Sequence, residues 1–205
     1  MKRIISILFA VIIVSTSFAQ SNFITVGAGF LNPKARVQYE HGFSDMHSTG
    51  ANLGYYFANW TGPRLEGFYR IYFGGDYERG MFFQASAGAG LFSFALGDDD
   101  LTTFDYYDAA TGITTTYDIY KSGGSWLSSG GGLAFGGKLT TNGGFVFETT
   151  LGYQFWSPPP SNYSEDYDDY YALSTAAADA IETIGYYVVG PGFPLHLQVK
   201  LGFNF

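Results

Sequence analysis

Apolar and polar residues alternate along most of this chain, and most plainly over Leu195–Phe205. Leu195, Leu197, Val199, Leu201, Phe203 and Phe205 are apolar, while His196, Gln198, Lys200, Gly202 and Asn204 stand between them. Side chains alternate across a strand, so this period of two gives one apolar and one wet face. Seven earlier segments share the character: Phe23–Phe30, Lys34–Phe43, Ser48–Trp60, Arg64–Phe73, Met81–Leu96, Trp126–Thr140 and Phe145–Trp156. The segment Trp126–Thr140 carries Gly130–Gly132 and Gly136–Gly137, which weaken strand propensity.

The connections fall into two sets. Ser44–His47, Gly74–Gly80 and Thr141–Gly144 are short turns. Leu31–Pro33, Thr61–Pro63, Gly97–Ser125 and Ser157–Pro194 form the other set, and the last two are long. With an even number of strands, this predicts an all-β fold, an eight-stranded antiparallel up-and-down barrel. Short turns at one end and long loops at the other are the habit of outer-membrane barrels. A transmembrane barrel with two long extracellular loops and both termini in the periplasm is expected.

The wet faces carry Arg36, Glu40, Arg64, Glu66, Arg70, Lys138, Glu148 and Lys200. An eight-stranded barrel has an interior just filled by side chains, so inward wet faces bury these five cations and three carboxylates together. They are expected to satisfy one another as a network that plugs the lumen. Glu148, Glu66 and Glu40 are the candidate partners of Lys200. A lipocalin-like soluble barrel shows the reverse, with the apolar faces in its cavity, and alternation alone does not separate the two.

The N-terminal residues break the tie. Lys2 and Arg3 precede an apolar run, Ile4–Val14, and Ser17-Phe18-Ala19 is an A-x-A-like cleavage site. Residues 1–19 read as a signal peptide, because the run is short for a membrane helix of about 20 residues. Residues 20–205 then form the barrel domain, beginning at Gln20. No later run is long enough for a membrane helix. Export, an aromatic terminus and the loop asymmetry favour lipid outside the barrel, where closure leaves no unpaired edge.

Composition agrees. Aromatic residues make up 20 % of the chain and Gly accounts for 28 residues, an excess that suits β-structure. There is no cysteine, so disulfides and thiolate metal sites are excluded. Without Lys2 and Arg3, 8 cations face 18 carboxylates for a net charge of −10, which argues against a nucleic-acid partner.

With the signal, the eight-strand rhythm and Leu195–Phe205 in view, the chain resembles the small OmpA/OmpX-type outer-membrane barrels of Gram-negative bacteria. In that family the last strand ends on an aromatic residue with apolar residues at every second position before it. Leu201, Phe203 and Phe205 fill those places here. The resemblance implies that they form the signal read by the outer-membrane insertion machinery. It also implies a role as envelope scaffold, adhesin, resistance factor or, rarely, lipid-modifying enzyme. No periplasmic peptidoglycan-binding domain is expected after the barrel.

Candidate chemistry is sparse. The two long loops hold 12 of the 18 carboxylates, with Asp98, Asp99, Asp100, Asp166, Asp168 and Asp169 in short runs and tyrosines interleaved. They form a candidate contact surface for an extracellular partner, a glycan or divalent cations. A solvated, repulsive outer surface is the plainer reading. Ser174–Ile184 reads as a short helix, with Ser174 as N-cap and Gly185 at its end, packing as a plug within the loop. Trp60, Trp126 and Trp156 suggest an interfacial aromatic belt, although strict alternation turns each of them inward.

Gly132–Lys138 nearly matches a phosphate-binding loop. Leu139 stands where Ser or Thr is needed, and the strand-to-helix context is missing. The histidines, His41, His47 and His196, are scattered. A lipid-modifying enzyme would need one beside a serine or carboxylate at the outer leaflet, and only His196 is near that height. The expected role is therefore non-enzymatic, without a cofactor, and either structural or surface-interacting. A lipid-modifying enzyme and a small channel are the alternatives.

Overall fold

The computed structural model describes residues 21–29, 33–57, 60–74, 76–94, 102–119, 125–160, 180 and 183–205. The candidate signal, residues 1–19, lies outside them, as do Asp98, Asp99, Asp100, Asp166, Asp168 and Asp169. Eight strands close into an antiparallel barrel: β1 (Asn22–Gly29), β2 (Lys34–Ser44), β3 (His47–Phe57), β4 (Trp60–Phe73), β5 (Gly80–Phe94), β8 (Ser125–Thr140), β9 (Phe145–Trp156) and β10 (Leu195–Asn204). Two further strands, β6 (Thr102–Asp108) and β7 (Ile113–Ile119), pair only with each other. Neighbours in sequence are neighbours in the barrel, except that β5 passes over this hairpin to β8.

Closure is made by β1 and β10, in register from Phe23 opposite Asn204 to Ala28 opposite Val199. Asn22 and Phe205 extend the seam by exchanging backbone hydrogen bonds of 3.0 and 2.9 Å. Both chain ends of the barrel therefore lie at the end that carries the short turns, here the turn end. The opposite rim is the loop end.

Outward and inward positions alternate as the pleat requires. Along β10, Leu195, Leu197, Val199, Leu201 and Phe203 are exposed, while His196, Gln198 and Lys200 are buried. The other barrel strands repeat this. Leu53, Leu65, Leu133 and Leu151 are each 56–58 % exposed, while Arg64, Arg70, Glu40 and Glu148 have 0–1 % of their surface open. The polar face is the core.

Several boundaries differ from the sequence expectation. Thr61–Pro63 was expected to connect two strands, but it lies inside β4. Pro63 has no N–H to give, and the pairing of β4 with β5 runs from Thr61 opposite Ser93 to Arg64 opposite Gly90 without Gly62 and Pro63. Gly62 has φ +141°, and a Cβ there would meet the Leu91 carbonyl oxygen at 1.9 Å. This glycine is what lets the two backbones close on a proline-bearing strand.

The long connection Gly97–Ser125, read as one acidic loop, contains the β6–β7 hairpin. The hairpin turns through residues 109–112, with Gly112 at φ +68°. The helix expected over Ser174–Ile184 is present at Ala180, Thr183 and Ile184 and runs past its expected end. A helical segment α1 covers residues 183–188, and Gly185 lies within it rather than at its end. The Val189 and Gly190 amides both return to the Gly185 carbonyl, at 3.0 and 3.1 Å. Most of the expected span, including Ser174, is outside the described residues.

Candidate functional site

The interior holds the chemistry. Registration brings the inward residues into layers, and the charged ones form two clusters.

The cluster nearer the turn end is centred on Arg70 of β4. Its guanidinium crosses the lumen to Glu148 of β9, with Nη2 and Nη1 donating at 2.7 and 2.8 Å, and to Glu40 of β2 at 2.6 Å. Arg70 Nε donates to Gln84 at 2.8 Å, and the guanidinium lies 4.1 Å over the Phe82 ring. Lys200 and Lys138 both stand opposite Glu148 in the ladders on either side of β9. Lys200 pairs with Glu148 at 2.7 Å and also donates to Gln38 at 2.6 Å. Lys138 reaches across to Glu40 at 2.8 Å instead. Ser48 and Tyr72 each donate to Glu40 at 2.6 Å. Two carboxylates are thus saturated by three cations and neutral donors, in the fork geometry that suits guanidinium and carboxylate.

The second cluster, toward the loop end, has one carboxylate. Glu66 accepts from Arg64 Nη2 at 2.7 Å and lies 3.2 Å from Arg36 Nη2. Arg64 also donates to the Tyr56 hydroxyl at 2.6 Å and to Gln154 at 3.0 Å, and stacks 4.1 Å over Trp156. Lys34 joins here. Its Nζ donates to Tyr56 at 3.2 Å. Lys34 was absent from the expected network, although it has the parity of Arg36. Its place as the first residue of a strand hid it, because alternation is read securely only inside a strand.

The structure thus brings all eight expected charged residues inside, in two groups rather than one. Arg70, Lys138, Lys200, Glu40 and Glu148 form one, and Arg36, Arg64 and Glu66 the other.

Both ends of the lumen are stopped by side chains. At the loop end, Tyr56, Trp60, Phe92, Trp126, Trp156 and Tyr186 form one buried cluster. The three tryptophans are therefore inward, as strict alternation requires, and not in an outer belt. Tyr186 enters this cluster from α1, and burial pushes its phenol up to about 12. Its hydroxyl lies 2.9 Å from Ser128 Oγ. A Cβ at Gly185 would sit 3.3 Å from the Trp60 ring, so the helix rests close against the indole. Residues before β10 add to the cover, with Gln154 Nε2 donating to the Phe193 carbonyl at 2.7 Å.

At the turn end, the connection between β4 and β5 folds inward. Lys138 Nζ donates to the Tyr77 carbonyl at 3.1 Å, Thr140 Oγ1 donates to the Glu78 carbonyl, and Ser21 Oγ donates to Glu78 at 2.6 Å. Nothing in the sequence pattern marks that turn as a stopper. The signal is indirect: it is the turn that carries Tyr, Glu and Arg together.

The outer surface is ordered too. On β9 the outward residues run Phe145, Phe147, Thr149, Leu151, Tyr153, Phe155 from turn end to loop end. On β3 the loop-end positions are Tyr55 and Phe57, with Leu53 below. On β4 and β10 the turn-end positions are aromatic, Tyr69 and Phe73 on one and Phe203 on the other, followed by Phe205. Aromatic rings thus mark both rims, and leucine, valine, alanine and glycine fill the middle. Phe43, His47 and Tyr69 lie together at the turn rim, with centroids 5.8–6.2 Å apart. The expected terminal signal residues Leu201, Phe203 and Phe205 all face outward.

His196 faces the lumen, 6 % exposed, with Nδ1 3.3 Å from Gln154. His41 and His47 lie near the turn end, bonded to Asn22 and Tyr69. No group of three metal-ligating side chains occurs among the described residues.

Comparison with known proteins adds one likeness. No protein-family model matches the chain, and no curated protein does. Among solved structures, the barrel is similar to the crystal structure of the N-terminal β-barrel domain of OprF from Pseudomonas aeruginosa, at 13 % identity, covering 91 % of this chain and 97 % of that one with a TM-score of 0.44.

Proposed function

We propose that this chain is an integral outer-membrane protein, an eight-stranded barrel of the OmpA type with a non-enzymatic role in the structure of the envelope or in contacts at its surface. The observation that carries this reading is the outer face. A soluble protein rarely leaves one broad apolar surface open, yet outward positions on every barrel strand here are mostly apolar, with aromatic rings at both rims. That is the arrangement of a lipid-facing band between two aromatic girdles. The interior supports it: charges that no hydrocarbon would accept are turned inward, where each of the three carboxylates is paired with cations.

The remaining features follow the same reading. Residues 1–19 are removed on export, both termini are periplasmic, and Leu201, Phe203 and Phe205 present the last strand to the insertion machinery. The long connections are extracellular, and Asp98, Asp99, Asp100, Asp166, Asp168 and Asp169 offer a partner, a glycan or divalent cations a negatively charged surface. His196 points into the lumen, away from where a lipid would be met, which favours a role without catalysis. Arg70 and its two carboxylates cross the lumen, which favours a plugged barrel over a channel.

The test is refolding from urea into vesicles of neutral phospholipid. The account expects a form that migrates faster on unheated than on heated denaturing gels and withstands protease except in the long connections. A chain that folds and remains monomeric in buffer without detergent or lipid would overturn it.

A further inference from the structure

The loop-end cluster leaves positive charge unanswered. Among the described residues, the lumen buries Lys34, Arg36, Arg64, Arg70, Lys138 and Lys200 against only Glu40, Glu66 and Glu148. Two of the three surplus charges belong to the cluster around Glu66. Buried charge without a counter-charge is costly, and an acceptor-only species relieves it directly.

The surplus has a place to be answered. In the ladders, Arg36 stands opposite Gly27 of β1 on one side and Gly54 of β3 on the other. No side chain therefore stands directly opposite it on either neighbouring strand. A cavity of about 10 Å³ lies there, lined by Gly27, Lys34, Arg36, Gln198 and Lys200 together with Ala28 and Val199. The Gly27 backbone sets its wall, since a Cβ there would come within 3.0 Å of the Lys200 side chain. Of the residues lining it, Arg36 at Nε and Nη1 and Gln198 at both amide atoms have no partner among the described residues, although Arg36 and Gln198 are each 5 % exposed. Arg36 spends only Nη2 on Glu66.

Charge and size together define the ligand. Apart from the Gln198 oxygen, the polar side-chain atoms lining the cavity are N–H donors, three of the side chains are cationic, and no carboxylate lines it. A space of this size holds roughly one water molecule. It suits a halide, little larger than water and able to accept from several donors at once, better than phosphate, sulfate or a carboxylate. Gln198, free of other bonds, can turn its amide to meet it. We propose that the upper lumen is a binding site for a single small monovalent anion, chloride in size and charge, held between the Arg36 guanidinium and the Gln198 amide beneath Lys34. The site depends only on the barrel interior, so it stands whatever covers the outer face.

The experiment uses the whole folded protein in non-ionic micelles. Chloride and bromide, titrated against gluconate at equal ionic strength, should raise the urea midpoint saturably, whereas gluconate should not. Chloride NMR should show line broadening that bromide competes away. Gln198→Leu keeps the volume and removes the amide, and should weaken that broadening roughly tenfold, as expected for losing a hydrogen bond to an ion. Arg36→Met should abolish it. If Arg36→Met fails to fold, the wild-type salt comparison and Gln198→Leu still decide. Superimposed chloride and gluconate curves, or broadening unchanged in Gln198→Leu, would overturn the site and leave water as the occupant.

Discussion

The two charge clusters of one lumen are built on different terms. Near the turn end, three cations face two carboxylates, and every polar atom of Arg70, Lys138, Lys200, Glu40 and Glu148 has a partner. Near the loop end, among the described residues, three cations face Glu66 alone, and Arg36, Arg64, Asn52, Gln198 and His196 keep polar atoms without a partner. The first is a tie between strands far apart in sequence, since Arg70 joins β4 to β2, β5 and β9. The second is a cavity with glycines on either side of its central arginine. A buried network that is fully satisfied rigidifies a fold, while an under-satisfied one is the place to look for a ligand.

The comparison is broken most severely at Arg70. Arg70→Met leaves Glu40 and Glu148 facing each other with only lysines, and should cost about 3–5 kcal/mol in urea unfolding. Arg36→Met, the matching change in the other cluster, leaves Glu66 with Arg64 and removes a surplus charge. Equal costs for the two would show that the clusters do not differ as described.

Lys200→Met tests the redundancy of the saturated tie. Glu148 keeps the Arg70 fork, so the loss is the two Lys200 hydrogen bonds, to Glu148 and Gln38, and should be about 1–3 kcal/mol in the same assay. Tyr186→Phe probes the cap above the other cluster. It removes a hydroxyl bonded to Ser128, which still donates to the Ser157 carbonyl at 2.7 Å, and should cost about 0.5–1.5 kcal/mol. The smallest effect belongs to Lys34→Met. Its cation pairs with no carboxylate among the described residues, so unfolding should change by less than about 1 kcal/mol, and a gain in stability would fit.

Much of this was legible in the sequence, for physical reasons. A period of two over eight segments fixes which side chains share a face, and a closed barrel has only an inside and an outside. So the charged set, from Arg36 to Lys200, could be named without coordinates. What alternation does not carry is distance along and across the barrel, so the division into two clusters and the choice of Glu148 for Lys200 needed the register. Proline misled at Pro63, because a gap in one ladder lets a strand continue through it. The hairpin in Gly97–Ser125 was masked by its carboxylates, although threonines and aromatics flank Ala109–Gly112. Tryptophan gives no sign of the rims, because all three indoles face inward and Tyr and Phe form the outer girdles.

The central claim is that the apolar face of each strand meets lipid and the charged face does not. The chain has no cysteine, so Leu197→Cys, Gln198→Cys, Val199→Cys and Leu201→Cys can each carry a single nitroxide in the protein refolded into vesicles. Relaxation by dissolved oxygen and by a water-soluble nickel chelate then reports the surroundings. The account predicts strong oxygen and weak nickel effects at 197, 199 and 201, and weak effects of both at 198. Strong nickel effects at 197, 199 and 201 would place that face in water and contradict it.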